Sequence, residues 1–151
     1  MTQSKYTIVP MTAQHIPQIA ALEQLCFTDP WSENSVGSEL DNPLSLWLVA
    51  LAGDTVAGYV GSQTVLDEAD LMNVAVAPDD RKQGVARALL EELEARLRSK
   101  SVHSITLEVR DSNEAAIRLY EKLGYVQVGC RRGYYCKPRE DARILRKEWT
   151  L

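Results

Sequence analysis

Val85, Leu89, Leu93 and Leu97 recur every four residues, with Ala86 and Leu90 beside them and an apolar run over 71–76 just ahead. This spacing predicts a helix over 84–99 with one apolar face. Arg87, Glu91, Glu94 and Arg98 fall on the opposite face. Glu92–Arg96 and Glu94–Arg98 are i,i+4 pairs of opposite charge, each worth ~0.2–0.5 kcal/mol. A strand that leads into a one-sided helix has to bury that side against a sheet. The chain then repeats the theme. Residues 103–110 alternate, with Ile105, Leu107 and Val109 pointing one way and Thr106, Glu108 and Arg110 the other. A second helix is predicted over 113–123, with Gly124 as its stop. Residues 125–130 and 142–148 read as two more strands. Strand, helix, strand, helix, strand places helices on a sheet.

The first half is compatible with the same plan. Residues 6–9 form a short strand-like run. Thr12 starts a helical stretch whose Ile16, Ile19, Ala20 and Leu22 share a face, and Pro17 suits its first turn. Pro30 breaks the chain, and Ser32 is placed to cap a short helix reaching about Leu40. Residues 46–51 and 56–66 read as strands joined by a turn at Gly53-Asp54. There are no internal repeats, low-complexity tracts or Pro/Gly/Ser-rich linkers, so residues 1–151 are expected to form a single domain.

Composition narrows the function classes. At 45% hydrophobic and 25% charged residues, the chain has an ordinary globular balance, which argues against disorder. Seventeen Lys+Arg against 21 Asp+Glu leave a net charge of -4, so binding nucleic acid by phosphate neutralisation is not expected. No apolar run reaches the ~18–20 residues of a membrane span. Gln14, His15, Gln18, Glu23 and Gln24 interrupt any signal-peptide-like stretch, and the expected compartment is the cytosol. Cys26, Cys130 and Cys136 are odd in number and far apart, with only His15 and His103 as further soft ligands. That is no zinc pattern, so no metal is expected and the cysteines are expected to be buried small hydrophobes.

Two segments carry chemistry. In the first, Val74-Ala75-Val76-Ala77-Pro78 leads through Arg81-Lys82-Gln83-Gly84-Val85-Ala86 into the strong helix. The opening N–H groups of that helix lack intrahelical partners and sit at the positive end of its dipole. Gly84 and Ala86 would let an anion approach the backbone, and Arg81, Lys82 and Arg87 add positive charge. This is the physics of a pyrophosphate site, though neither the P-loop nor the dinucleotide glycine pattern is present. The same residues also suit an ordinary helix start with surface charges.

The second segment is Glu108-Val109-Arg110-Asp111-Ser112-Asn113 with the following helix. Asn113, Ile117 and Tyr120 lie on one side of that helix. Taken singly, Asn113 suits an N-cap, Tyr120 a half-buried aromatic, and Glu108 an ion pair with Arg110 or another basic residue.

Together the segments resemble the GCN5-related N-acetyltransferase (GNAT) superfamily. Its R/Q-x-x-G-x-G/A pattern matches at Arg81, Gly84 and Ala86. Its N-x-x-A-x-x-L-Y-x-x-L-G-F/Y pattern matches at Asn113, Ala116, Leu119, Tyr120, Leu123, Gly124 and Tyr125. Over nearly the whole chain the likeness is to the ribosomal-protein-alanine N-acetyltransferases, the RimI type. It rests on Pro30-Trp31-Ser32, Leu66-Asp67-Glu68-Ala69, Leu71 with Asn73–Val76, Leu107-Glu108-Val109-Arg110, Arg131-Arg132 with Tyr134-Tyr135, and Glu140-Asp141-Ala142. The chain departs from the family at Asp80, where an aromatic is frequent, at Gly133, where Asn is common, and in a short loop over 136–139.

The resemblance implies an α/β (α+β) GNAT fold: a mixed, mostly antiparallel sheet of six or seven strands, flanked by about four helices, with two central strands splayed apart. It implies acetyl-CoA as co-substrate, with Arg81, Lys82, Gln83, Gly84, Val85, Ala86 and Arg87 around the pyrophosphate. Val74, Ala75 and Val76 would lie along the pantetheine arm, and Asn113 would touch the cofactor. Glu108 is implied as proton acceptor and Tyr120 as proton donor. Trp31, Glu68, Tyr134 and Tyr135 are candidates to grip the acceptor. The implied acceptor is the N-terminal amine of a small-subunit ribosomal protein beginning with Ala. Two alternatives stand beside it: a small-molecule amine such as a polyamine or aminoglycoside, and a non-catalytic acetyl-CoA sensor, against which the presence of both Glu108 and Tyr120 argues.

Overall fold

The computed structural model describes residues 5–136 and 138–150. Of the short loop noted above, residue 137 lies outside the described residues. The elements run β1 (Thr7–Pro10), α1 (Ile16–Cys26), α2 (Glu33–Ser38), β2 (Ser45–Ala52), β3 (Thr55–Val65), β4 (Glu68–Val76), α3 (Val85–Ser99), β5 (Ser104–Arg110), α4 (Glu114–Lys122), β6 (Val126–Cys136) and β7 (Arg139–Glu148). Ser32 caps α2 by accepting a hydrogen bond from the Ser35 amide, and Pro17 sits in the first turn of α1. No described helix is long and apolar enough to cross a membrane.

The strands form one seven-stranded sheet in the order β1-β2-β3-β4-β5-β7-β6. Neighbours are antiparallel except β4 and β5, which run parallel. This matches the mixed, mostly antiparallel sheet and the helix number implied by the resemblance. β4 and β5 pair only at Glu68↔Ser104, Ala69↔Ile105 and Asp70↔Thr106, then separate, so the expected splay is present. β4 also carries a bulge. Gly61 of β3 opposes Asn73 and Ser62 opposes Leu71, which leaves Met72 without a partner. Gly61 is needed there because the Trp47 indole occupies the space a Cβ would take.

Each face of the sheet has its own core. Leu89, Leu93 and Leu97 of α3 pack with Leu48, Val60, Ile105, Leu107, Tyr120 and Leu145 on one side. Ile19 and Leu22 of α1 and Val36 of α2 pack with Trp47, Val49 and Tyr59 on the other. Leu48 and Val49 point to opposite cores, as the period-2 pleat requires. Burying each such side chain is worth about 1.5–3 kcal/mol.

Several boundaries differ from the sequence reading, among them the start of β7, at Arg139 and not 142, and that of α1, at Ile16 and not Thr12. β4 begins at Glu68, three residues before the apolar run, because polar residues alternate with Ala69 and Leu71 there. Leu66 leaves β3 for the turn, exposed and at φ +59°. β6 continues to Cys136 because its register slips between Arg131 and Tyr135, which hides the alternation. The cysteines also differ. Cys26 is half-buried, whereas Cys130 and Cys136 are exposed, since both lie on the edge strand β6.

Candidate active site

Where β4 and β5 part, a cavity of about 540 Å³ opens, within the size range of small-molecule sites. Leu71–Val74 of β4 form one wall and Glu108–Arg110 of β5 the other. Asn113, Ala116 and Tyr120 come from α4. Phe27–Asp29 and Trp31 from the α1–α2 loop and Tyr134–Cys136 of β6 complete it. One cavity therefore gathers Glu108, Tyr120, Asn113, Val74, Trp31, Tyr134 and Tyr135.

The alternation of β5 directs Ile105, Leu107 and Val109 into the core and leaves Glu108 between core and cavity. Its carboxylate lies 3.4 Å from Arg131 Nε, and the two side chains are 29% and 57% exposed. Arg110 bridges Glu140 at 3.2 Å, and its guanidinium lies 4.3 Å from the centre of the Tyr135 ring. Tyr120 is buried, its ring 5.4 Å from that of Tyr125. Burial, then the neighbouring Tyr135, push its hydroxyl pKa well above the usual value, so it holds its proton across the physiological range. Asn113 caps α4, its Oδ1 accepting from the Ala116 amide at 3.2 Å, and also lines the cavity. Tyr134 and Tyr135 meet edge to face at 5.0 Å.

Val76 leads, through Ala77 and a 3₁₀ turn at Pro78–Asp80, to the start of α3. Lys82 and Gly84 both have positive φ, +63° and +81°, and Gly84 is the N-cap of α3 with no side chain bonding to the helix start. A Cβ on Gly84 would meet nothing within 4 Å. The first N–H groups of a fifteen-residue helix are thus uncapped by side chains beside open space, which fits the polyanionic end of a coenzyme A group. The basic residues are placed unevenly. Arg81 folds back, with Nε donating to the Val76 carbonyl at 3.2 Å and Nη2 3.4 Å from Cys26 Sγ. Arg87 bridges Glu91 at 2.7 Å, and Lys82 and Gln83 are exposed. Val85 is buried in the core, Ala86 half-buried, and Ala75 faces the α1 core.

Glu68 is not brought to the cavity. It lies at the end of β4 that is still paired with β5, and holds Arg146 at 2.7 Å. Trp31 does line the cavity, its ring edge-on to Trp47 at 5.3 Å. The sequence reading missed three groups. Arg131 faces Glu108. Asn73 follows the bulge, its Nδ2 donating to Glu23 Oε2 at 2.6 Å and its Oδ1 accepting from the Val74 amide at 3.1 Å. Glu23, which accepts from Asn73, is fully buried. Arg131 and Asn73 stand inside the motifs quoted above, but no spacing marks them. Glu23 reads as a polar residue on a mostly apolar helix.

The sequence model of the acetyltransferase (GNAT) family matches residues 16–125. The ribosomal protein bS18-alanine N-acetyltransferase of Salmonella typhimurium is 41% identical over 142 residues, covering 92% of this chain and 95% of that protein. The crystal structure of the ribosomal-protein-S18-alanine N-acetyltransferase from Escherichia coli has a TM-score of 0.89 at 38% identity, over 97% of this chain and 95% of that one. The NatC complex, solved with Gag peptide and CoA, has a TM-score of 0.86 at 21% identity, over 96% and 99%, which is a likeness of fold alone.

Proposed function

The chain belongs to the acetyltransferase (GNAT) family, and on that premise we propose that it acetylates a protein N-terminus, the N-terminal alanine of a small-subunit ribosomal protein. It is an N-acetyltransferase, and its donor is acetyl-CoA. The observation that carries the proposal is the gathering of Glu108, Tyr120, Trp31, Tyr134 and Tyr135 around one cavity at the β4/β5 splay. The relatives' shared name supports the acceptor class, and a ribosomal protein acceptor would be met in the cytosol.

An α-amine has an unperturbed pKa of about 7.7–8.0, so much of it arrives as an ammonium, which has no lone pair. Glu108 takes that proton, directly or through a water, once the ammonium has displaced Arg131. An exposed ion pair of this kind is worth only about 0–1 kcal/mol, so the displacement is cheap. Bound acetyl-CoA supplies the activated acetyl thioester. The backbone N–H of Val76 on the unpaired side of β4 polarises its carbonyl, while the N–H of Val74 is held by Asn73 Oδ1. Tyr120, kept protonated by burial, donates to the departing sulfur. The α3 start, from Arg81 to Arg87, takes the pyrophosphate through backbone N–H groups around Gly84. Asn113 contributes from the start of α4. Trp31, Tyr134 and Tyr135 line the acceptor side, and Glu68 braces the sheet through Arg146.

The test is a thiol-release assay with acetyl-CoA and peptides that differ in their first residue, alongside lysine and polyamines. A peptide beginning Ala-Arg should be acetylated at its α-amine, with lysine side chains far slower because their proton is held ~2–3 pK units more tightly. Acetyl groups mapped mainly to lysine, or turnover confined to polyamines, would overturn the acceptor class.

A further inference from the structure

Glu23, on the third turn of α1, is fully buried, and the chemistry above does not use it. A carboxylate taken out of water is costly unless its oxygens are satisfied. Here three donors from three segments converge on it. The Trp31 amide of the α1–α2 loop donates to Oε1 at 2.9 Å. The Tyr59 hydroxyl of β3 and the Asn73 Nδ2 of β4 donate to Oε2. Trp31 and Asn73 line the cavity from different sides, the acceptor loop and the wall beside the Met72 bulge.

The chemistry of the acceptor adds a constraint. Oε2 accepts from the NH2 of Asn73, which leaves Asn73 Oδ1 facing the Val74 amide. That bond takes up the Val74 N–H and pins the Asn73–Val74 part of the cavity wall, two residues before the Val76 N–H that the proposed mechanism aims at the thioester carbonyl. One buried group therefore ties down the loop against which the amine docks and fixes the β4 wall beside the acyl site. An apolar residue of the same volume would pack among α1, Trp47 and Tyr59 without the cost of burying a charge. Packing alone does not call for a carboxylate here.

We propose that Glu23 is a positioning residue for acyl transfer, fixing the acceptor loop at Trp31 and the Asn73 amide at β4 in register with each other. The inference rests on the acyl-transfer reading above and adds a group that never touches the reactants.

The experiment compares Glu23→Gln, Glu23→Asp and Tyr59→Phe with the wild-type chain, well below each thermal midpoint. It measures kcat, acceptor KM and, by calorimetry, acetyl-CoA affinity. Misplacement of reacting groups by about 1 Å can cost ~100-fold. Glu23→Gln, which puts an NH2 where a donor must be accepted, should raise acceptor KM and lower kcat/KM by roughly 10- to 100-fold. Acetyl-CoA affinity, set mainly at the α3 start, should stay within about twofold. Glu23→Asp should recover part of the loss. Tyr59→Phe keeps the ring and removes one donor, and should give a smaller change of the same kind. Kinetic constants within twofold of wild type in the folded variants, or a parallel loss of acetyl-CoA affinity, would show a structural carboxylate only. If Glu23→Gln does not fold, Tyr59→Phe decides by the same criterion. Wild-type turnover of the N-terminal peptide tests the parent reading. The variant-to-wild-type ratio, measured with whichever amine the wild type accepts, tests Glu23.

Discussion

Glu108 and Tyr120 differ in what surrounds them, and that difference separates their proposed roles. Glu108 is partly exposed beside a more exposed cation, Arg131, so it can exchange partners and protons. Tyr120 is enclosed among apolar side chains and keeps its proton, so it can act only as a donor near neutral pH. Glu108→Gln keeps size but removes the acceptor, and kcat should fall by roughly 10²–10⁴-fold at pH 7 with acetyl-CoA affinity nearly intact. Raising the pH toward 9 should restore part of the rate, because more of the amine arrives neutral. Tyr120→Phe should lose less, since a thiolate leaves tolerably well unprotonated, and it should gain nothing from higher pH. Rates of Glu108→Gln near wild type from pH 6 to 9 would reduce Glu108 to the ion-pair partner of Arg131. The chemistry at this scale was legible because Glu108 and Tyr120 stand in recognisable motifs. The Arg131 contact was not, because it joins β5 to β6 through a register that local sequence does not encode.

At the scale of elements, two turns are informative. Gly84 at the start of α3 and Gly53 in the β2–β3 turn both have positive φ, and a Cβ on either would meet nothing within 4 Å. Valine at either position should therefore cost similar backbone strain, about 1–3 kcal/mol. Only Gly84→Val should lower acetyl-CoA affinity, by tenfold or more, because only there would the branched side chain stand over the uncapped helix start. Equal affinities in the two variants by calorimetry would remove the pyrophosphate assignment. The β6–β7 hairpin is anchored differently. Glu140 accepts from the Ser112 amide at 2.6 Å and pairs with Arg110. Hydrogen bonding from Ser112, then Arg110, holds its carboxyl below the usual range. The unfolded chain therefore binds this proton at a higher pH than the fold does. The stabilisation is complete above the unfolded pKa and is lost as pH falls through the folded one. Urea unfolding between about pH 3 and 6 should show a shallower acid decline in Glu140→Gln than in wild type. An identical decline would mean that the hairpin contact adds no net stability. Gly133 belongs to the same hairpin. Its φ of +60° explains why the position takes Gly here and Asn in the family, since both tolerate the left-handed region.

For the molecule as a whole, the α3 and α4 helices and most strands were legible from periodicity, but the sheet order was not. β7 inserts between β5 and β6, a long-range pairing that no local pattern announces. The splay was expected only through the resemblance. Its physical basis is that β4 and β5 share three paired residues before diverging, so the β1–β4 and β5–β7–β6 halves meet along a short seam. A ligand lying in the gap would bridge both halves and favour the folded state. At 100 times its Kd, acetyl-CoA should add ~2.7 kcal/mol of stability by mass action. For a chain of this length that corresponds to a rise in Tm of roughly 5–10 °C. The protection should be local as well as global. Amides of Val74 and Val76, and those of β5 beyond Thr106 on the side facing β4, should exchange more slowly with ligand than without, relative to amides of β1 and β2. A Tm unmoved at saturation, or a rise in protection spread evenly over the sheet with none added at the seam, would show that acetyl-CoA does not occupy the gap.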